Sequence, residues 1–283
     1  MFSFFKKKNK DDNQNKKQEQ IGPWCQLNND YKVPRISLNL DLISKEEMTS
    51  YVTNALQIGY RMFDFDADNE AIEEISLAVQ NSGINRKQIF YAISIKCPEG
   101  PNKVDKIVKE LLERLKTDYI DICVFKANGF FGIILELYYY FYKIYHDKKT
   151  FKAFGIEGLD TLREDVFNMY RKEKIQLEKI SCNLLQPNYV LMGKYERSNI
   201  VLMTKESLGT SENLVNYCRV HLEKMAEETG KTISQLALRF LYQRGNIVTI
   251  STKNIEELKE YFEIQNFTLT EEQMKLLSEV DNF

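Results

Sequence analysis

The sequence predicts an α/β fold, a closed (β/α)8 barrel, and three observations carry that expectation. Short β-rich segments alternate with helix-length amphipathic segments from about Arg35 to Phe267. Eight such strand segments fall within 283 residues, a number and length that suit parallel strands joined by right-handed crossovers and closed on themselves. An open doubly wound sheet is the rival reading, but no Gly-x-Gly-x-x-Gly follows the first strand; Asn39 and Leu40 stand where its phosphate turn would be.

The elements follow in order. Residues 1–22 begin MFSFFKKKNKDDNQNKKQEQ, and their mixed charge and short apolar start suit a disordered or docking tail better than a signal or transit peptide. Residues 23–283 form the barrel domain. Its strand candidates start at Arg35, Met62, Ile89, Tyr119, Phe151, Lys179 (KISCNLL), Asn199 and Asn246. Between them, Lys45–Ile58, Ala71–Asn81, Val104–Leu115 and Leu162–Lys172 place apolar residues three and four apart, the helical period. Gly59, Gly83 and Gly230 stand where helices end.

Composition narrows the function classes. Lys plus Arg is 39 against 41 Asp plus Glu, for a net charge of −2, which gives no basic footprint for nucleic acid. Five scattered cysteines and two isolated histidines, His146 and His221, form no zinc spacing and no disulfide framework. Free thiols suit a reducing intracellular compartment, so the expected location is cytoplasmic, with association to a large or cytoskeletal assembly left open. The longest apolar run, Gly129 to Tyr142, is broken by Glu136 and too short to span a bilayer.

Ala55-Leu-Gln-Ile-Gly-Tyr-Arg-Met-Phe-Asp64 resembles the lead into the second strand of the aldo-keto reductases. Gly83-Ile-Asn-Arg86, Leu115 to Asp121, Lys152-Ala-Phe-Gly155, Gly230 to Phe240 and Phe267 to Met274 are similar to later family segments in the same order. The resemblance implies a TIM barrel and a catalytic tetrad of Asp, Tyr, Lys and His working with NADPH. Carried over residue by residue, Asp64 matches the Asp, whereas the Lys falls on Ser94 and the His on Lys126. The Tyr is lost in the shortened turn Phe65-Asp-Ala-Asp-Asn-Glu70. Lys96 lies on the same strand face as Ser94, about 6–7 Å further along.

The cofactor positions implied by the resemblance also differ. The Ser-Asn pair that grips the carboxamide reads Glu157-Gly158, the strand-six Gln reads Cys182, and the stacking Tyr reads Lys205. The phosphate motif reads Thr249-Ile-Ser-Thr252, with Glu257 and Tyr261 at the later Arg and Asn contacts. The substrate loops after strands four and seven and at the C-terminus read as shortened.

These departures lead to the expectation of a pseudoenzyme: no catalytic, cofactor-binding or metal residues, no cofactor, and Asp64, Ser94 and Lys126 as vestigial positions. Asp66, Asp68 and Glu70 read as a solvated turn. Lys96 and Lys126 either hold an anion or supply a partner for Asp64. The expected role is a structural or docking subunit that meets other proteins through Tyr138, Tyr139, Tyr140, Tyr142 and the N-terminal tail. A small-molecule or nucleotide sensor and a divergent NADPH-dependent oxidoreductase are the alternatives.

Overall fold

A computed structural model describes residues 22–96, 101–126, 149–158, 175–209 and 219–279. An antiparallel hairpin opens it, β1 (Trp24–Gln26) and β2 (Lys32–Pro34). Eight parallel strands follow: β3 (Ile36–Asn39), β4 (Met62–Asp66), β5 (Phe90–Lys96), β6 (Ile120–Lys126), β7 (Phe151–Glu157), β8 (Leu177–Ser181), β9 (Val201–Lys205) and β10 (Val248–Ile250). They pair in chain order, with β10 beside β3. A parallel bridge between Met203 and Ile247 joins β9 to the start of β10 and completes the ring. The expected closed (β/α)8 barrel is therefore the fold.

The described helices are α1 (Lys45–Ile58), α2 (Ile72–Asn81), α3 (Pro101–Leu115), α4 (Tyr189–Ser198), α5 (Arg219–Thr229), α6 (Ile233–Gln243), α7 (Ile255–Phe262) and α8 (Glu271–Ser278). In α1, Met48, Tyr51, Val52, Ala55 and Leu56 recur at three- and four-residue spacing and are buried against the barrel. It ends at Gly59, whose φ of 126° no ordinary side chain adopts easily and whose N–H donates to the Ala55 carbonyl at 3.1 Å. Thr232 and Thr270 start α6 and α8 with reciprocal capping boxes to Gln235 and Gln273. None of the described helices is long and apolar enough to cross a membrane.

Strand alternation divides the core in two. Phe63, Tyr91, Ile93, Cys123, Phe125, Phe154 and Ile180 point outward to the helices. Met62, Phe90, Ala92, Ile122, Val124, Ala153, Leu177, Met203 and Ile247 share an inner cluster, sealed from below by Cys25, Leu27 and Val33 of the hairpin. A polar clasp ties that plug down. The buried Asp121 carboxylate receives Tyr31 Oη at 2.6 Å, Arg86 Nη2 at 2.9 Å and the Tyr91 N–H at 3.0 Å. The barrel is thus apolar and closed at its amino end, so polar inward residues can gather only at its carboxyl end.

One strand lies elsewhere than the sequence suggests. The sixth barrel strand is expected from Lys179 to Leu185 but runs Leu177–Ser181. The apolar stretch after Cys182 forms a tight turn instead, in which the Asn183 side chain accepts the N–H groups of Leu185 and Gln186. Lys179 is thereby moved from a strand start to mid-strand.

Candidate active site

Continuing the inner alternation by two residues at a time brings ionisable groups to the barrel's carboxyl end. Asp64 follows Met62, Ser94 follows Ala92, Lys126 follows Val124, Glu157 follows Ala153 and Gly155, Lys179 follows Leu177, and Lys205 follows Met203. The deepest group is a triad. Lys179 Nζ lies 2.7 Å from Asp64 Oδ1 and 3.1 Å from Ser94 Oγ, and Asn39 Nδ2 donates to Asp64 Oδ2 at 3.0 Å. Asp64 is fully buried and Lys179 nearly so, at 0% and 4% exposure.

Burial pushes the Asp64 carboxyl above its ordinary range, against the lowering pull of Lys179 and Asn39. For Lys179, burial opposes the charge, but the Asp64 carboxylate outweighs it and holds the ammonium above its usual value. The Lys179 ammonium therefore keeps its charge through the neutral range, beside a carboxyl whose ionisation burial resists.

Three more ion pairs ring the opening. Lys126 Nζ lies 2.6 Å from Asp66, Lys96 Nζ 2.6 Å from Asp68, and Lys205 Nζ 2.6 Å from Glu157. The Lys126 side chain keeps 19% exposure, so it is tethered yet reachable, whereas Lys96 and Asp68 stand largely in solvent. Glu157 Oε2 is buried with no hydrogen-bond partner among the described residues.

A cavity of about 560 Å³ adjoins this mouth, with Asn39, Glu206, Ser234, Ser251, Glu257 and Tyr261 among its walls. Asn39 belongs to both, since the residue that lines the cavity also donates to Asp64. Two local devices shape the walls. Thr204 and Ser207 share a 2.6 Å hydrogen bond, and Ser207 donates to the Thr249 carbonyl, which folds the Glu206 turn over the strand ends. Thr252 Oγ1 donates to Glu257 in the first turn of α7, while the Asn254 side chain caps that helix.

Of the three vestigial positions expected from the sequence, Asp64 and Ser94 meet through Lys179, while Lys126 pairs with Asp66 at the rim. Sequence reasoning missed Lys179. Ser94 stands where the resemblance puts a lysine, and Lys179, from a different strand, contacts both Ser94 and Asp64. Neither Lys96 nor Lys126 partners Asp64. Asp66 and Asp68, read as a solvated turn, each hold a lysine. Tyr138, Tyr139, Tyr140, Tyr142 and the tail lie outside the described residues. Among the described residues no group of His, Cys, Asp and Glu side chains is placed to hold a metal.

A parallel barrel with charged side chains converging at the carboxyl ends of its strands has the layout of a barrel enzyme. The Aldo/keto reductase family profile matches residues 162–282. An aldo-keto reductase of Mycolicibacterium smegmatis is 27% identical over 268 residues, covering 92% of this chain and 91% of that protein. The NADP-dependent D-sorbitol-6-phosphate dehydrogenase of Malus domestica is 24% identical over 90% of this chain and 93% of its own. The crystal structure of an aldo/keto reductase from Brucella melitensis superposes with a TM-score of 0.82 at 25% identity, covering 92% of this chain and 100% of that one. The chain is similar to aldo-keto reductases over 92% of its length, in sequence and in fold.

These matches overturn the expectation of a non-catalytic docking subunit. The relatives are named as reductases and dehydrogenases over nearly their whole length, and nothing in them points to a structural role. The physical source of the error is the lysine: a position-by-position reading counted it as lost, although a lysine from β8 sits against Asp64 and Ser94.

Proposed function

We propose that the chain is a divergent nicotinamide-dependent oxidoreductase that interconverts a carbonyl compound and its alcohol at the mouth of the barrel. The observation that carries this reading is the buried Asp64–Lys179–Ser94 contact, a carboxylate–lysine pair rebuilt from two strands at the family's catalytic position. The relatives named as NADP-dependent and NADPH-dependent enzymes support it.

The residues present fit a nicotinamide cofactor in part. A cavity of about 560 Å³ is within the usual range for ligand sites. Asn39, Ser234 and Ser251 offer hydrogen bonds to a ribose, and the unpartnered Glu157 Oε2 can accept from a carboxamide N–H. When bound, the cofactor supplies the hydride.

The protein's own part is electrostatic. Charge develops on the carbonyl oxygen as the carbon is reduced, and a prepositioned cation there lowers the barrier. Lys126, reachable from solvent and steered by Asp66, faces the opening and is the group placed to touch that oxygen and give it a proton. It regains the proton from water. Lys179 is a positioning residue: held by Asp64 and Ser94, it keeps a second positive charge at the floor of the site and pins the ends of β4, β5 and β8 together. No tyrosine stands in the turn from Asp66 to Glu70, so a lysine takes the proton-donor role that the family gives to tyrosine.

Steady-state reduction of an aldehyde and ketone panel, with NADH and NADPH, tests the proposal. Turnover that falls at least about a hundredfold in Lys126→Met supports it, since general acids contribute about that much. Absence of turnover across the panel by folded protein refutes it.

A further inference from the structure

The cavity beside the mouth has a chemistry that selects between two forms of the cofactor. Its described walls carry two carboxylates, Glu206 and Glu257, and no lysine or arginine. A site built for a phosphate monoester gathers Arg, Lys and free helix N-terminal N–H groups. The first turns of α6 and α7 both line this cavity: that of α6 is closed by the Thr232–Gln235 capping box, and that of α7 is already occupied by acid. Glu256 and Glu257 lie in that first turn, the Asn254 side chain takes the Glu256 N–H, and Glu257 is held in place by the Thr252 hydroxyl. An added dianion would meet two negative charges at a helix end whose positive potential is spent.

A ribose 2′,3′-diol meets the opposite situation. A hydroxyl donates to a carboxylate, and an acidic side chain on the ribose is how dinucleotide sites favour the unphosphorylated cofactor. The Ser251 and Ser234 hydroxyls and the Asn39 amide complete a neutral, hydrogen-bonding wall.

We infer that the cavity lined by Glu206, Glu257 and Ser251 takes the unphosphorylated cofactor, NADH, and rejects the 2′-phosphate of NADPH. The NADP-dependent and NADPH-dependent relatives make this a departure within the family. The inference rests on the proposed oxidoreductase reading, and binding measurements separate the two.

Titration calorimetry of the full chain with NADH and with NADPH measures both affinities without recourse to turnover. The expected result is NADH binding at least about tenfold more tightly than NADPH, as the loss of bidentate contacts and the added repulsion require. Glu257→Arg reverses the preference and Glu257→Gln narrows it. Equal affinities, or tighter NADPH binding by the wild-type chain, overturns the inference while leaving the oxidoreductase reading intact. Failure of both to bind at about 1 mM, weaker than about −4 kcal/mol, overturns both. The wild-type comparison stands even if Glu257→Arg fails to fold.

Discussion

Replacing Lys179 by methionine removes the ammonium 2.7 Å from Asp64 and leaves a fully buried carboxylate with Asn39 as its remaining side-chain donor among the described residues. Breaking a buried pair by deleting one partner costs about 3–5 kcal/mol. At roughly 2–4 °C per kcal/mol for a chain approaching this size, the melting temperature falls by about 6–20 °C. The pH dependence carries more information than the size. Burial already raises Asp64, and Lys179 is the main influence that lowers it; without the lysine the carboxyl rises further. The folded variant then holds a proton that the unfolded chain releases above about pH 3.9. More protons bound in the folded state means stability that falls as pH rises, by up to about 1.4 kcal/mol per unit, until the raised folded value is passed. In the wild type, Lys179 is held above its ordinary value, so its contribution is full below about pH 10.4 and is lost only as pH rises through the folded value. Urea unfolding at about pH 5 and about pH 7.5 therefore shows a smaller deficit for Lys179→Met at the lower pH. The double variant Asp64→Asn/Lys179→Met loses that dependence. A deficit below about 1 kcal/mol, or one equal at both pH values, refutes the buried ion pair.

Other perturbations probe the scaffold. Arg86→Met leaves Asp121, whose carboxyl burial already pushes upward, without its cation; a loss of about 3 kcal/mol by urea unfolding is expected. Tyr31→Phe removes the 2.6 Å hydrogen bond from the hairpin to the same carboxylate and costs about 1.5–3 kcal/mol in the same assay. At Gly59, φ is 126° and a Cβ would lie 2.7 Å from Phe262 Cζ, so Gly59→Ala destabilises by about 1–3 kcal/mol in thermal unfolding. Thr232→Ala removes the capping box of α6 and costs about 1 kcal/mol.

The parts of this molecule that follow from local pattern were legible in its sequence. Helix α1 has the bounds its apolar spacing and Gly59 imply, and seven barrel strands overlap their β-rich segments closely, because alternation and turn residues act over a few positions. The eighth shows where local pattern stops. In Ile175-Gln-Leu-Glu-Lys-Ile-Ser181 the apolar alternation breaks at the adjacent charges Glu178 and Lys179, which made the more apolar stretch from Lys179 look like the strand. The shift of two residues hid the partner of Asp64. A contact made from across the barrel, like that of Lys179 with Asp64 and Ser94, leaves no mark at the positions that it meets. A lysine in mid-strand, facing inward by period two, was the one available signal. The acidic character of Glu257 was visible at once, but its meaning depended on the cavity that it lines.

Deuteride transfer tests the central claim most directly. The chain is incubated with NADH or NADPH deuterated at the reactive position and a panel of aldehydes and ketones, and product alcohols are read by mass spectrometry. Deuterium at the carbinol carbon of a product, absent with Lys126→Met protein of unchanged fold, is the result expected of a working lysine-based centre at this mouth. Folded wild-type protein that transfers no deuterium from either cofactor to any carbonyl would contradict it.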